Sequence, residues 1–260
     1  LNHHDLWALK GQALNAEQAP MILGSDAAGV TLDGREVIVH AIVGESLGER
    51  DETLDPRRSL LSERYSGTLA QRVRVPVHNL VDKPASLTWE QAACLPTAWL
   101  TAYRMIATNS GTRTGDTLLV QGAAGGVATA AIVLGKALGL RVWATSRTEA
   151  KRDWARSIGA DDVFAVGARL PEKVDAVIET VGEATWEHSL RALRPGGRVV
   201  VSGATSGPNP PADLNRVFFL QLSIIGSTMG SYAELPLDEA RVGFAAMADG
   251  DLRGKIVLVP

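Results

Sequence analysis

The stretch "LVQGAAGGVATAAIVLGKALG" (Leu119–Gly139) joins an apolar run, a turn of small residues and a long segment whose apolar residues recur at helical spacing. Gly139 is a typical residue to end a helix. The stretch therefore predicts a strand, a tight turn and a helix. Backbone amides at the N-terminus of such a helix are suited to bind a pyrophosphate.

The turn matches the dinucleotide-binding fingerprint Gly-x-Gly-x-x-Gly only at its centre, because Ala123 and Ala128 take the two outer positions. A closely packed strand-to-helix corner would give the same pattern. The position of the motif favours dinucleotide binding, because the motif stands at the start of a run of alternating strands and helices. We predict that the cofactor contacts Ala124, Gly125, Gly126 and Val127.

Two regions with different patterns divide the chain. From Asp116, strand-like and helix-like segments alternate, which predicts an α/β fold with a doubly wound, mostly parallel sheet. Before it, β-branched runs at Arg35–Val43 and Thr68–Pro76 predict strands, and the charged Gly48–Ser59 predicts an exposed loop. Ser86 or Thr88 is the expected cap of a helix that continues past Tyr103.

Residues at the end of the second predicted strand after Asp116 distinguish NAD from NADP(H) as the cofactor. NAD binding calls for an acidic residue there, but the chain has Ser146 and Arg147, with Lys151 one helical turn further on. A hydroxyl and two cations suit a 2′-phosphate, which favours NADP(H). The alternative is that both cations are solvated charges at the start of a helix.

Bulk composition excludes several other classes. The 260 residues are 45% hydrophobic with a formal net charge of −3, so no basic surface for nucleic acid and no membrane partner are expected. The single cysteine, Cys94, allows no internal disulfide and is typical of a reducing cytoplasm. The sequence also has no Gly-x-x-x-x-Gly-Lys-Ser/Thr loop, which nucleotide triphosphatases use. None of its tyrosines is followed, four residues later, by the lysine that short-chain dehydrogenases use.

Several segments, in order along nearly the whole chain, resemble the medium-chain dehydrogenase/reductase family. They are "LNHHDLWALKG" (Leu1–Gly11), "LGSDAAGV" (Leu23–Val30), "WEQAACLPTAWLTAYRMI" (Trp89–Ile106), "GDTLLVQGAAGGVATAA", "LRPGGRVVVSGATSG" and "IIGSTMGS" (Ile224–Ser231). The resemblance implies a GroES-like β-rich catalytic domain over 1–95 that lacks the family's first strands. It also implies a Rossmann NADP(H)-binding domain over 96–235 and a segment, 236–260, that returns to the catalytic domain. Residues expected between Leu235 and Pro236 are missing from the pattern.

The family's zinc-dependent alcohol dehydrogenases hold their catalytic metal with two cysteines and a histidine. The resemblance places Asn2, Ser25 and Thr97 at those three positions, and none of them is a good zinc ligand. The chain is therefore similar to the zinc-free quinone oxidoreductase branch, and we predict no metal. The neighbouring His3 and His4 are interpreted as surface or pocket-lining residues rather than ligands.

The resemblance also points to Asn2, Asp5 and Thr101 as catalytic residues near the nicotinamide and the substrate. Asn2 or Thr101 could donate a hydrogen bond to the substrate oxygen, and Asp5 is expected to orient its neighbours. Ligands of open α/β sheets bind at the carboxyl ends of the strands. The remaining cofactor contacts are therefore predicted at Thr180, Val181, Gly203, Ala204, Thr228 and Met229.

Together with these features, the resemblance implies a cytoplasmic, NADPH-dependent oxidoreductase that transfers hydride to a quinone or an α,β-unsaturated carbonyl without zinc. The alternatives are an NADP(H)-dependent alcohol dehydrogenase-like enzyme and a nucleotide-binding redox sensor or structural protein with little turnover. The resemblance further suggests a homodimer in which the strand at Leu222–Ser227 pairs across a two-fold axis. The sequence does not identify the physiological substrate or a proton donor.

Overall fold

The computed structural model describes residues 1–12, 14, 16–44 and 52–229. These residues divide into two compact units, one formed by Leu1–Leu100 with Met229 and the other by Thr101–Thr228. None of the helices in these ranges is both long and apolar enough to cross a bilayer.

The first unit contains short antiparallel strands and one longer helical segment. Its elements are α1 (His3–Leu9), β1 (Ala27–Val30), β2 (Glu36–Val39), β3 (Ile42–Val43), β4 (Ser59–Leu60), β5 (Leu80–Asp82) and α2 (Trp89–Cys94), with short 3-10 turns at Ala16–Gln18, Glu52–Leu54 and Val77–Asn79. Strands β1 and β2 pair with each other, and β2 also pairs with β5, while β3 pairs with β4. Val39, Val43 and Leu61 form a buried apolar cluster.

The helical segment that leaves the first unit begins where the sequence predicts. Thr88 Oγ1 accepts a hydrogen bond from the backbone amide of Gln91, and Gln91 Oε1 accepts one from the backbone amide of Thr88. The two residues therefore form a capping box. The backbone then runs through a π-helical stretch (Leu95–Trp99), helix α3 (Leu100–Tyr103) and a second π-helical stretch (Arg104–Ser110). It ends at Gly111, whose left-handed backbone (φ 64°) is a typical helix terminus.

The second unit is a parallel sheet flanked by helices. Its elements are β6 (Thr117–Val120), α4 (Gly126–Ala137), β7 (Arg141–Ser146), α5 (Glu149–Ser157), β8 (Asp162–Ala165), β9 (Val174–Glu179), α6 (Glu183–Ala192), β10 (Leu193–Val201), α7 (Leu214–Phe219) and β11 (Ser223–Gly226). The strand order is β11-β10-β9-β6-β7-β8, and every neighbouring pair is parallel. Strands β6 and β9 lie at the centre, which explains why nearly all of their residues are buried and most of them are apolar.

The α/β fold and the parallel sheet predicted from the alternating segments are confirmed. The sequence reading missed β8 and α7, which are short and carry weak periodicity.

Two predictions in the first unit are wrong. No strand forms over Thr68–Pro76: Val73 and Val75 pack inward against the Val39 cluster, but the backbone pairs with no neighbouring strand. The alternation therefore reflects packing alone. In Gly48–Ser59, the described part is not simply an exposed loop, because Glu52, Thr53 and Asp55 are buried. The predicted helix and strand of 236–260, and the gap at Leu235, lie outside the described residues.

Candidate functional site

The carboxyl ends of five adjacent parallel strands place most of the predicted cofactor contacts along one edge of the second unit. In sheet order, this edge presents the ends of β7, β6, β9, β10 and β11. Neighbouring strands lie about 4.8 Å apart, so the edge from β7 to β11 spans roughly 19 Å. This width matches an elongated ligand such as a dinucleotide, with its two halves on either side of the turn after β6.

The turn after β6 leaves amides free to bind an anion. Gly122 has a left-handed backbone (φ 74°), and a Cβ there would lie 2.7 Å from Cγ2 of Val181. Ala124 is also left-handed (φ 77°), which is uncommon for a residue with a side chain. The amides of Gly126 and Val127, in the first turn of α4, donate to no described residue. The residues of this turn thus fit a pyrophosphate.

Two cations beside the end of β7 have no described partner. Arg147 and Lys151 are both exposed, and neither forms an ion pair or hydrogen bond with a described residue. By contrast, Arg152 and Arg156 on the same helix bind Glu149, and Arg156 also binds Asp153. The two cations that the sequence assigned to a 2′-phosphate are therefore the two that remain available.

The loops after β9 and β10 are held together at the predicted contacts. The Ser206 amide donates to the Val181 carbonyl at 2.7 Å, and a Cβ on Gly203 would lie 3.0 Å from the Thr180 carbonyl oxygen. Ala204 follows in the same loop. After β11, the Ser227 hydroxyl accepts from the Asn109 side chain at 3.0 Å, and Thr228 is exposed. Met229 belongs to the first unit, where its side chain packs on Ala41 and Ile42.

A buried polar network beneath this edge was missed by sequence reasoning. Glu179, at the end of β9, is fully buried and forms no ion pair with a described residue. Its Oε1 accepts from the amides of Val181 (2.8 Å) and Gly182 (3.1 Å), and its two oxygens accept from the hydroxyls of Thr185 and Ser189. These donors stabilise a buried carboxylate and fix the turn that carries Thr180 and Val181.

The network extends under two further strands. Gln121 after β6 accepts from the Thr145 hydroxyl in β7 and donates to the Ser189 hydroxyl (3.0 Å) and to His188 Nδ1 (2.9 Å). His188 Nε2 then faces the Ala168 carbonyl at 2.9 Å, so the neutral ring with its proton on Nε2 satisfies both contacts. Burial lowers the pKa of His188. Glu179 at the last position of β9 and Gln121 directly after β6 were the polar residues in the sequence that could have revealed this network.

In the first unit, the three positions that the resemblance assigned to zinc ligands meet in space. Asn2 Nδ2 lies 3.1 Å from Ser25 Oγ, and Ser25 Oγ lies 3.3 Å from Thr97 Oγ1. Asn2 Nδ2 also donates to Asp26 at 2.9 Å. Three segments far apart in sequence therefore bring one amide and two hydroxyls into a single cluster, here called the amide–hydroxyl cluster (Asn2, Ser25, Thr97).

The other two predicted catalytic residues differ in their surroundings. Asp5 is buried and accepts from the amides of Asn2 (2.8 Å) and Gly24 (3.0 Å), which fixes the segments that carry Asn2 and Ser25. This geometry agrees with an orienting role. Thr101 is buried in α3 and belongs to the second unit. Asn2 and Asp5 belong to the first unit, and the meeting of these two residues with Thr101 at one substrate stays a prediction.

The amide–hydroxyl cluster does not fit zinc. Protein ligands of zinc are cysteine thiolates, imidazoles and carboxylates, whereas these positions supply an amide and two hydroxyls. Across the described ranges, no group of three or more His, Cys, Asp or Glu side chains is arranged to hold a metal ion. His4, which lies near the cluster in sequence, instead contacts Glu63 at 3.1 Å.

Comparison with known proteins identifies the family. Residues 126–241 match the family model described as zinc-binding dehydrogenase. The crotonyl-CoA carboxylase/reductase of Cereibacter sphaeroides is 28% identical over 87% of this chain and 65% of its own length. The quinone oxidoreductase of Homo sapiens is 29% identical over 82% of this chain and 63% of its own length.

Solved structures extend the match to the whole fold. A structure titled NAD-dependent alcohol dehydrogenase superposes with a TM-score of 0.87 at 34% identity, covering 95% of this chain and 79% of that one. The 2-octenoyl-CoA carboxylase reductase CinF, in complex with NADP and 2-octenoyl-CoA, superposes with a TM-score of 0.84 at 25% identity, covering 95% and 69%. The chain belongs to the medium-chain dehydrogenase/reductase family, as the sequence motifs predicted. It spans less than two thirds of the length of the two curated relatives.

Proposed function

We propose that this protein is an NADPH-dependent oxidoreductase that reduces an α,β-unsaturated carbonyl or a quinone without zinc. The observation that carries the proposal is the amide–hydroxyl cluster, which offers hydrogen-bond donors where a metal-dependent relative needs ligands. Relatives that reduce crotonyl-CoA, 2-octenoyl-CoA or quinones by name support the substrate class.

NADP(H) is the cofactor that the described residues fit. The amides of Gly126 and Val127, which donate to no described residue, would hold the pyrophosphate, and Arg147 with Lys151 would hold the 2′-phosphate. The interlocked loops at Val181 and Gly203 would line the nicotinamide half. When bound, the dinucleotide supplies the hydride.

The residues of the protein would supply placement and polarisation. Asp5 fixes the backbone at Asn2 and Gly24, and Glu179 fixes the turn before α6. The two segments that would hold the substrate and the cofactor are therefore rigid. Thr101, Ala204, Thr228 and Met229 remain proposed contacts of the nicotinamide or the substrate. The proposed domains are 1–95, 96–235 and 236–260.

The proposed homodimer uses the outer strand β11. In this strand Ile224 is 46% exposed, and the preceding helix α7 exposes Phe218 and Phe219, which stack on each other. A strand edge that pairs with no other described strand and has exposed apolar side chains is suited to continue the sheet across a two-fold axis. The only cysteine of the sequence, Cys94, is buried and cannot form an internal disulfide, which agrees with a reducing compartment, and a cytoplasmic location is part of the proposal.

The alternative is an NAD-dependent alcohol dehydrogenase, favoured by the name of the structural neighbour at 34% identity. The test is a turnover assay with purified protein, following nicotinamide absorbance with crotonyl-CoA or 1,4-benzoquinone and NADPH, and with secondary alcohols and NAD⁺. NADPH oxidation by the first pair supports the proposal. Alcohol oxidation with NAD⁺ alone supports the alternative, and binding without any turnover supports a sensor or structural protein.

A further inference from the structure

We infer that Thr97 is a catalytic residue whose hydroxyl donates the hydrogen bond that polarises the substrate carbonyl, and that Ser25 and Asn2 are the residues that orient it. This inference rests on the proposed function. It assigns to one side chain the task that a metal ion performs in zinc-dependent relatives.

The proton arrangement within the amide–hydroxyl cluster follows from its donors and acceptors. The Asn2 side-chain nitrogen has two protons, and it has two acceptors, Ser25 Oγ at 3.1 Å and Asp26 Oδ2 at 2.9 Å. Both protons are therefore used inside the protein. As a result, Asn2 itself has no amide proton left for a substrate oxygen.

Ser25 must then pass its own proton to Thr97. Ser25 is only 1% exposed, and its described partners are Asn2 and Thr97. If Thr97 donated to Ser25, the Ser25 proton would be buried with no described acceptor, and an unsatisfied buried donor is unfavourable. The favoured direction is Asn2 to Ser25 to Thr97.

This direction leaves the proton of Thr97 free at the accessible end of the chain of hydrogen bonds. Thr97 is partly exposed, whereas Ser25 is buried, and Ser25 is the only described residue that bonds the Thr97 hydroxyl. A hydroxyl that already accepts a hydrogen bond is polarised and becomes a better donor. Thr97 is thus prepared to donate outward.

The chemistry of reduction needs such a donor. Hydride addition at the β-carbon of a conjugated carbonyl moves the C=C electron pair, so negative charge develops on the carbonyl oxygen. A proton from solvent at the α-carbon completes the product. A fixed hydroxyl at the oxygen stabilises the charge as it forms, without being consumed.

The test compares Thr97→Val, Thr97→Ser, Ser25→Ala and the double variant Ser25→Ala/Thr97→Val with the wild type. The substrate is crotonyl-CoA or 1,4-benzoquinone, whichever the wild type reduces with NADPH. Loss of a single donor to a developing oxyanion typically lowers kcat by about 10²–10³-fold. We expect this loss in Thr97→Val, and near wild-type kcat in Thr97→Ser.

Ser25 acts through Thr97, so the double variant should be no slower than Thr97→Val alone. A purely structural role for Ser25 would instead make the two losses additive. NADPH affinity, followed by nicotinamide fluorescence, should stay unchanged in every variant, because the proposed nucleotide contacts that carry the phosphates lie in the second unit. Thr31→Val, in an exposed turn of the first unit, is the matched control and should keep full activity.

The outcomes separate the inference from the proposed function. An active wild type with an equally active Thr97→Val overturns the inference and leaves the proposed function standing. A wild type that binds NADPH but reduces neither probe overturns the proposed function, and the inference with it. Weakened NADPH binding in both Thr97→Val and Thr97→Ser would show a structural role and overturn the inference.

Discussion

Cofactor preference should depend on the two unpaired cations beside β7. Arg147 and Lys151 are exposed and have no described partner, so both are available to a 2′-phosphate. A hydrogen bond to a charged group contributes about 1.5–3 kcal/mol, and solvent exposure favours the lower end. Because 1.4 kcal/mol is a factor of ten, each substitution to alanine should weaken NADPH binding by about tenfold.

The double variant Arg147→Ala/Lys151→Ala should lose about a hundredfold in NADPH affinity if the two effects add. NADH lacks the 2′-phosphate, so its affinity should change little, and added salt should weaken NADPH binding more than NADH binding in the wild type. Fluorescence titration of the nicotinamide measures both dissociation constants.

Arg156→Ala is the matched control, because Arg156 lies on the same helix and is already paired with Glu149 and Asp153. Its NADPH affinity should equal that of the wild type. Equal affinity of the wild type for NADPH and NADH would refute the assignment of Arg147 and Lys151, as would an unchanged preference in the double variant.

Three further substitutions test the support of the site and the assembly. Glu179→Gln should weaken NADPH binding and lower the free energy of unfolding by about 1–3 kcal/mol. The reason is that the amide nitrogen of the new side chain would face the hydrogen-bond donors that now surround the carboxylate. A urea unfolding curve that matched the wild type would contradict this. Burial lowers the pKa of His188 from 6.5, so the unfolded chain takes up this proton first as the pH falls. Thermal stability should therefore decrease below about pH 6.5, and His188→Gln should flatten that decrease; parallel melting curves for the two proteins would count against it. Ile224→Arg should convert the proposed dimer to a monomer in sedimentation velocity, and an unchanged sedimentation coefficient would remove β11 as the interface.

Strand and helix periodicity was sufficient for the architecture of the second unit but not of the first. In β6 and α4, the apolar pattern, the turn residues and the terminal Gly139 all favour the same elements, so the local signals agree. Over Thr68–Pro76 the alternation of Val73 and Val75 is real, yet its cause is packing on Val39 rather than pairing of strands. Alternation alone does not distinguish these two causes.

The candidate site was predictable where a motif marks it and hidden where only tertiary contacts create it. Gly125 and Arg147 each lie between a strand and the helix that follows it, so the order of elements in the sequence is enough to place both residues at the candidate site. The contacts of Gln121 with His188 join positions 67 residues apart, and no local pattern predicts them. The resemblance suggested that Asn2 and Thr97 share a place, but the direction of their hydrogen bonds needed the structure.

The most direct test of zinc-independent reduction is the rate of NADPH oxidation with crotonyl-CoA or 1,4-benzoquinone after exhaustive dialysis of the protein against a chelator. The zinc content of the same sample is determined by mass spectrometry. The amide–hydroxyl cluster predicts full activity with far less than one zinc ion per chain. Stoichiometric zinc that resists dialysis, or activity that disappears with the metal and returns when zinc is added, would contradict the account.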